Sequence, residues 1–173
     1  MRHQLDEDLI FDALEATGNY LSLSAVYLQT DLVTLYRTLD DMGITRHVNR
    51  AIERRQKSAP PPEGSNARHE YLCKAVTRAY DMCGRNKTRF SEFLGVSLRT
   101  SRQWFRCGHT FRPPPRFGVG KGTLLWALEK ELIEDIIARC KGNLSKASRV
   151  LGISVRALRM KVREYGRVVR PDR

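Results

Sequence analysis

The stretch GNLSKASRVLGISVRALRMKVREYG, residues 142–166, decides how the chain folds. It reads as two short helices around a tight turn. Ala147, Val150 and Leu151 fall on the inner face of the first helix. Gly152-Ile153-Ser154 makes the turn, because glycine reaches a left-handed backbone conformation without a Cβ clash. Ser154 offers its hydroxyl as an N-cap to the second helix. That helix is expected to bury Leu158 and Val162 and to turn Arg156, Arg159, Lys161 and Arg163 outward. An apolar back with a cationic front is how a helix-turn-helix presents its recognition helix to DNA.

The same pattern recurs upstream. LGVSLRTSR (94–102) matches LGISVRALR (151–159) without a gap, and Asn86 falls on Asn143. Aligning Leu28 with Leu151 places Thr34 on Ala157, Leu35 on Leu158, Leu39 on Val162 and Gly43 on Gly166. Gly18-Asn19 then echoes Gly142-Asn143 if Tyr20 is a one-residue insertion. Each copy has a leading amphipathic helix, over residues 6–16, 69–82 and 124–140. Their apolar stripes are Leu9, Ile10, Ala13 and Leu14; then Leu72, Ala75, Val76 and Ala79; then Leu125, Leu128, Leu132, Ile133, Ile136 and Ile137. Core packing is the favoured reading of these stripes.

Between the copies the composition shifts. Residues 50–67 combine an arginine-rich helix end with a Pro/Gly/Ser linker, and residues 109–122 form a second linker stiffened by Pro113-Pro114-Pro115. The expected fold is all-α: three tandem tri-helical helix-turn-helix units joined by Pro/Gly-rich linkers. The units are an acidic degenerate one (1–49), a basic one (68–108) and a third with a basic tail (123–173). Units of this size have marginal cores alone, so they should pack on each other or on a second subunit.

Gly142-Asn143, Leu151-Gly152-Ile153, Leu158-Arg159, Lys161 and Tyr165-Gly166 resemble the C-terminal helix-turn-helix of the factor for inversion stimulation (Fis) family, which also ends the NtrC-type activators. The resemblance covers residues 124–166 and extends more weakly to the other two copies. It implies a bacterial DNA-binding dimer whose recognition helices enter successive major grooves. By position, Ser154, Arg159, Lys161 and Arg163 match residues that touch bases or phosphates in that family. Asn143, Ser145, Lys146 and Arg156 complete the expected DNA-binding set of this unit. The chain departs from the family at Val155 and Met160, where the pattern has arginine and lysine; neither donates a hydrogen bond to a base edge. The sequence preference of Fis therefore does not carry across. No G-x-x-x-x-G-K-[ST] occurs, so ATP-driven remodelling of polymerase is not expected of this chain.

The second unit has its own set of readers. A recognition helix over 98–106 carries Arg99, Arg102, Gln103 and Arg106, of the types that pair with guanine and adenine. Lys87, Thr88 and Arg89 at the start of the preceding helix suit phosphate contacts, and Ser97 belongs to the same expected DNA-binding set. Trp104 and Phe105 sit late in that helix, where core packing is favoured over base stacking. The equivalent helix of the first unit, 31–41, presents Asp31, Asp40 and Asp41 with Arg37 as its only cation. Carboxylates repel phosphates at contact distance, so that unit is expected to bind protein instead.

Charge agrees with this division. The 173 residues carry a formal +12, but residues 1–44 hold two basic and eight acidic side chains, leaving +18 on the remainder. Mean hydropathy is −0.46 and no apolar run approaches a membrane span. Cys73, Cys83, Cys107 and Cys140 are scattered, suiting reduced thiols in a cytoplasmic, nucleoid-associated protein. Cys73, Cys83, Cys107 and His109 lack zinc-site spacing, so no metal or cofactor is expected. Nor is an enzyme, since the histidines are isolated and no nucleophile motif appears. The partner expected is double-stranded DNA. Leu125, Leu128, Leu132 and Ile136 are long enough as a stripe to serve the unit's core and a partner helix, giving a homodimer. The alternative is three fused units acting as a pseudo-oligomer. Transcriptional regulation is the expected function. DNA bending in recombination or in phage and mobile elements is a second class, and a protein-binding adaptor or antitoxin a third.

Overall fold

The computed structural model describes residues 6–106, 110–114, 117 and 119–168. Among them are ten helices and one short antiparallel ladder. The helices form three triplets, with an extra helix after the first. These are α1 (Glu7–Ala16), α2 (Leu21–Tyr27), α3 (Leu32–Asp41) and α4 (Thr45–Lys57); α5 (Ala67–Met82), α6 (Lys87–Leu94) and α7 (Leu98–Trp104); and α8 (Leu124–Arg139), α9 (Leu144–Leu151) and α10 (Val155–Val168). After α7, β1 (Phe105–Arg106) pairs with β2 (Thr110–Phe111), Phe105 opposite Phe111.

One pair of turns repeats in all three triplets. Each leading helix ends on two left-handed residues: Gly18-Asn19, Gly84-Arg85 and Lys141-Gly142. The amide of the second closes the turn, Asn19 on the Leu14 carbonyl (2.7 Å), Arg85 on Tyr80 (3.0 Å) and Gly142 on Ile137 (2.9 Å). Each middle helix ends on one left-handed residue, Gln29, Gly95 or Gly152. The amides of Thr30, Val96 and Ile153 then close on Ala25, Ser91 and Ser148. Asp31, Ser97 and Ser154 follow as N-caps, accepting from the amides of Thr34, Thr100 and Ala157. These equivalences run without a gap, so Tyr20 is no insertion. It stands in the cap position that Asn86 and Asn143 hold in the other triplets.

Tyr20 has no side chain able to cap α2, and the missing acceptor comes from α8. The Glu131 carboxylate takes the amides of Leu21 and Ser22, each at 2.7 Å, at the positive end of α2. Burial pushes the Glu131 carboxyl up, while the two amides and Arg55 pull it down. Glu131→Ala is expected to cost about 0.5–2 kcal/mol in urea unfolding, the range for a lost helix cap. An unchanged midpoint would mean that water replaces the cap.

α8 is the centre of the molecule, touching α2, α4, α5, α6 and α9. Asp135 is 1% exposed and accepts from Arg55 Nε of α4 (2.8 Å) and the Tyr20 hydroxyl (2.7 Å). Burial and the Asp135 charge hold the Tyr20 hydroxyl well above its ordinary range. Glu129, fully buried, binds α5 and α10.

Several expectations change. The arginine-rich helix end within residues 50–67 is the second half of α4, so the linker starts only after Lys57; no helix breaker precedes Ser58-Ala59-Pro60, and Arg55 anchors the helix to α8. α7 stops at Trp104, two residues short of expectation, because Phe105 leaves the helix to stack on Tyr80 at 3.6 Å between centroids. The second linker is tied down as well: Phe117 is buried against Trp104 and His69, and Phe111 packs on Phe105. Leu9 is 46% exposed, leaving Ile10, Ala13 and Leu14 as the buried stripe of α1. Trp104 and Phe105 are core residues, as their place in the sequence suggests. Cys107, His109 and the tail beyond 168 lie outside the described residues.

Candidate nucleic-acid interface

In the third triplet, α9 is fixed at its start by the Asn143 side chain, which accepts from the Lys146 amide at 3.0 Å. Its end is fixed by Gly152 at φ +72°, which Asn66 crowds so closely that a Cβ would collide with it. Ala147, Val150, Leu151 and Leu158 lock α9 to α10, all fully buried. The turn therefore sets the exit direction of α10 with little freedom.

α10 then divides into two faces. Arg156, Arg159, Met160 and Arg163 recur at helical spacing on the exposed one. Among the described residues, none of the three arginines has an ion-pair partner. Ser145 and Lys146 at the start of α9 and Ser154 at the start of α10 are exposed as well. Val162, expected inside, is 38% exposed; Tyr165, 3% exposed, fills the core instead.

Lys161 lies on the opposite face. Its ammonium donates to Glu129 Oε2 at 2.8 Å, so it belongs to a buried cluster rather than to the cationic front. The Tyr165 hydroxyl donates to the same oxygen at 3.0 Å, and Arg68 Nε to the other at 2.5 Å. Burial and the Glu129 charge raise the Tyr165 hydroxyl far above its ordinary range. The expected reader is a structural cation.

The second triplet repeats the outer face. Arg99, Arg102 and Gln103 are exposed on α7 at the positions equivalent to Arg156, Arg159 and Met160. Ser97 caps α7 at 3.0 Å, and Thr88 and Arg89 are exposed at the start of α6, where Asn86 takes both amides. Lys87 is half-buried. Arg106 falls in β1, and its side chain is outside the described residues.

In the first triplet the equivalent positions hold Val33 and Tyr36, 65% and 47% exposed. An apolar pair thus stands where the other triplets have arginines. The charges of this helix, three aspartates against Arg37, mask the pair in the sequence, although the alignment that sets Thr34 on Ala157 and Leu35 on Leu158 already places it. Leu125, Leu128, Leu132 and Ile136 are all 3% exposed or less within the single chain. The first two fill the core of the second triplet and the others that of the third, leaving none of this stripe for a partner.

Two helices at a short glycine turn, with an arginine-faced second helix, define a helix-turn-helix of the DNA-binding class. Residues 124–165, about a quarter of the chain, match the family "bacterial regulatory protein, Fis family". Neither curated proteins nor solved structures gave a significant match. The matched segment points to a DNA-binding regulator. No helix among the described residues is long and apolar enough to cross a membrane.

Proposed function

We propose that the chain is a bacterial, nucleoid-associated transcriptional regulator that binds double-stranded DNA in a sequence-dependent way. The observation that carries this is the exposed stripe of Arg156, Arg159 and Arg163, without ion-pair partners among the described residues, inside the segment that matches the Fis family. α10 docks in a major groove, with Asn143, Ser145, Lys146 and Ser154 set beside it for phosphate contacts. α7 docks likewise through Arg99, Arg102 and Gln103.

The first and second triplets are diverged copies of the third; the repeated turns and caps support that reading. The first copy no longer reads DNA. Val33 and Tyr36, bordered by Asp40 and Asp41, suit a protein partner with an apolar patch and basic surroundings.

Each cationic side chain that neutralises a phosphate releases counterions on binding, which steepens the salt dependence of affinity. Gel-shift titrations across salt should show weaker binding for both Arg159→Ala and Lys146→Ala, with the log–log slope reduced by about 1 for Lys146→Ala, the phosphate contact. Lys161→Met should leave that slope unchanged while lowering stability, because this lysine serves Glu129. Undiminished affinity in Arg159→Ala would exclude docking by α10.

A further inference from the structure

The second and third triplets contact each other reciprocally. The equivalence that carries Gly95 to Gly152 also carries Asn66, at the start of α5, to Thr123, at the start of α8. A Cβ on Gly95 would lie 2.7 Å from Thr123 Cγ2, and a Cβ on Gly152 would strike Asn66. The start of each leading helix thus seats on the helix-turn-helix glycine of the other triplet. The same exchange holds for whole elements: α5 and α8 pack together, α5 touches α9, and α8 touches α6. It holds in the cores as well. Leu125 and Leu128 of α8 enter the core of the second triplet, while Ala67 and Tyr71 of α5 pack against that of the third.

A contact in which each element meets its partner's equivalent is the mark of a two-fold interface. We infer that the second and third triplets are a two-fold pair fused in one chain, which reads an inverted, two-part DNA site as a monomer. The inference rests on the proposed DNA binding and adds the stoichiometry and form of the site. In a dimer of identical chains the two halves of an operator mirror each other. Here they need not, because the readers differ. Gln103 on α7 offers an amide that suits adenine, where Met160 on α10 offers an apolar contact of the kind a thymine methyl accepts. The stripe that would have served a second chain is already buried within this one.

The test is selection of binding sites from random duplex DNA by the full chain, followed by native mass spectrometry of the complex. The expected site has two unequal, inverted halves and holds one chain. Arg102→Ala should relax base preference in one half and Arg159→Ala in the other, each lowering affinity roughly five- to hundredfold. Both residues are exposed, so matched circular dichroism spectra would confirm folding. Two chains on a perfect palindrome, or both variants relaxing the same half, would overturn the fused pair while leaving DNA binding intact. Failure of the unaltered chain to enrich any site would overturn the DNA reading itself, and the inference with it.

Discussion

Glu129→Ala is expected to lower the unfolding free energy by about 3–5 kcal/mol, the range found when one partner of a buried ion pair is removed. Glu129 is fully buried on α8, and its two oxygens satisfy Arg68 of α5 and Lys161 and Tyr165 of α10. Truncation leaves two cations and a hydroxyl without their acceptor, around a carboxylate position that is almost wholly buried. Among the described residues, Arg68 keeps only the Phe117 carbonyl, at 3.3 Å. Glu129→Gln should also destabilise, because an amide keeps the shape but not the charge. Glu134 is the control on the same helix: it pairs with Lys130 at 3.9 Å and is half exposed, so Glu134→Ala should change stability by no more than about 0.5 kcal/mol. Urea unfolding of the full chain measures all three. A Glu129→Ala loss within 1 kcal/mol, a threshold of roughly one ordinary hydrogen bond, would mean that the cluster contributes little.

The cluster also marks where the sequence was hard to read. Residues 142–166 were legible because neighbours in sequence fix their geometry: Asn143 and Ser154 cap, and Gly152 turns. The turns before α7 and α3 were legible for the same reason, through Ser97 and Asp31. The apolar stripe of α8 hides its carboxylates, since Glu129 and Asp135 share helical spacing with Leu125, Leu128 and Leu132 and nothing nearby shows what they pair with. The partners Arg68 of Glu129, Leu21 of Glu131 and Arg55 of Asp135 are distant in sequence, and no local pattern announces them. The misplacement of Tyr20 has that origin, since its copy of the cap comes from a helix 110 residues away. Lys161 was misassigned likewise: a lysine among arginines reads as one more cation until its place opposite Arg159 is known. Phe111 and Phe117 were hidden by their surroundings, because prolines and glycines signal a linker whatever aromatic residues they enclose. The α8 leucines were rightly placed in a core, but their number suggested a partner chain where the second triplet itself is the partner.

The reciprocal packing makes a second large effect predictable, at the glycines. All three of Gly95, Gly142 and Gly152 have positive φ, so alanine at any of them carries a left-handed strain of roughly 1–2 kcal/mol. Gly142 has nothing within 4 Å of its would-be Cβ, and strain is its whole cost. At Gly95 the new methyl lies 2.7 and 2.8 Å from Thr123 Cγ2 and Cβ. At Gly152 it meets the Asn66 side chain and stands 3.1 Å from Asn66 Cα. Overpacking of this kind adds about 1–3 kcal/mol, giving totals near 2–5 kcal/mol for Gly95→Ala and Gly152→Ala. The two should be similar, because the close approaches are equivalents exchanged between triplets. Asn66→Gly combined with Gly152→Ala should recover part of the loss, since it removes the nearest atoms and leaves only the residue 66 backbone close to the new methyl. Denaturant unfolding of the three alanine variants decides the matter. Equal losses at Gly95, Gly142 and Gly152 would show that the helix starts yield freely, and the two turns would then be independent rather than braced against each other.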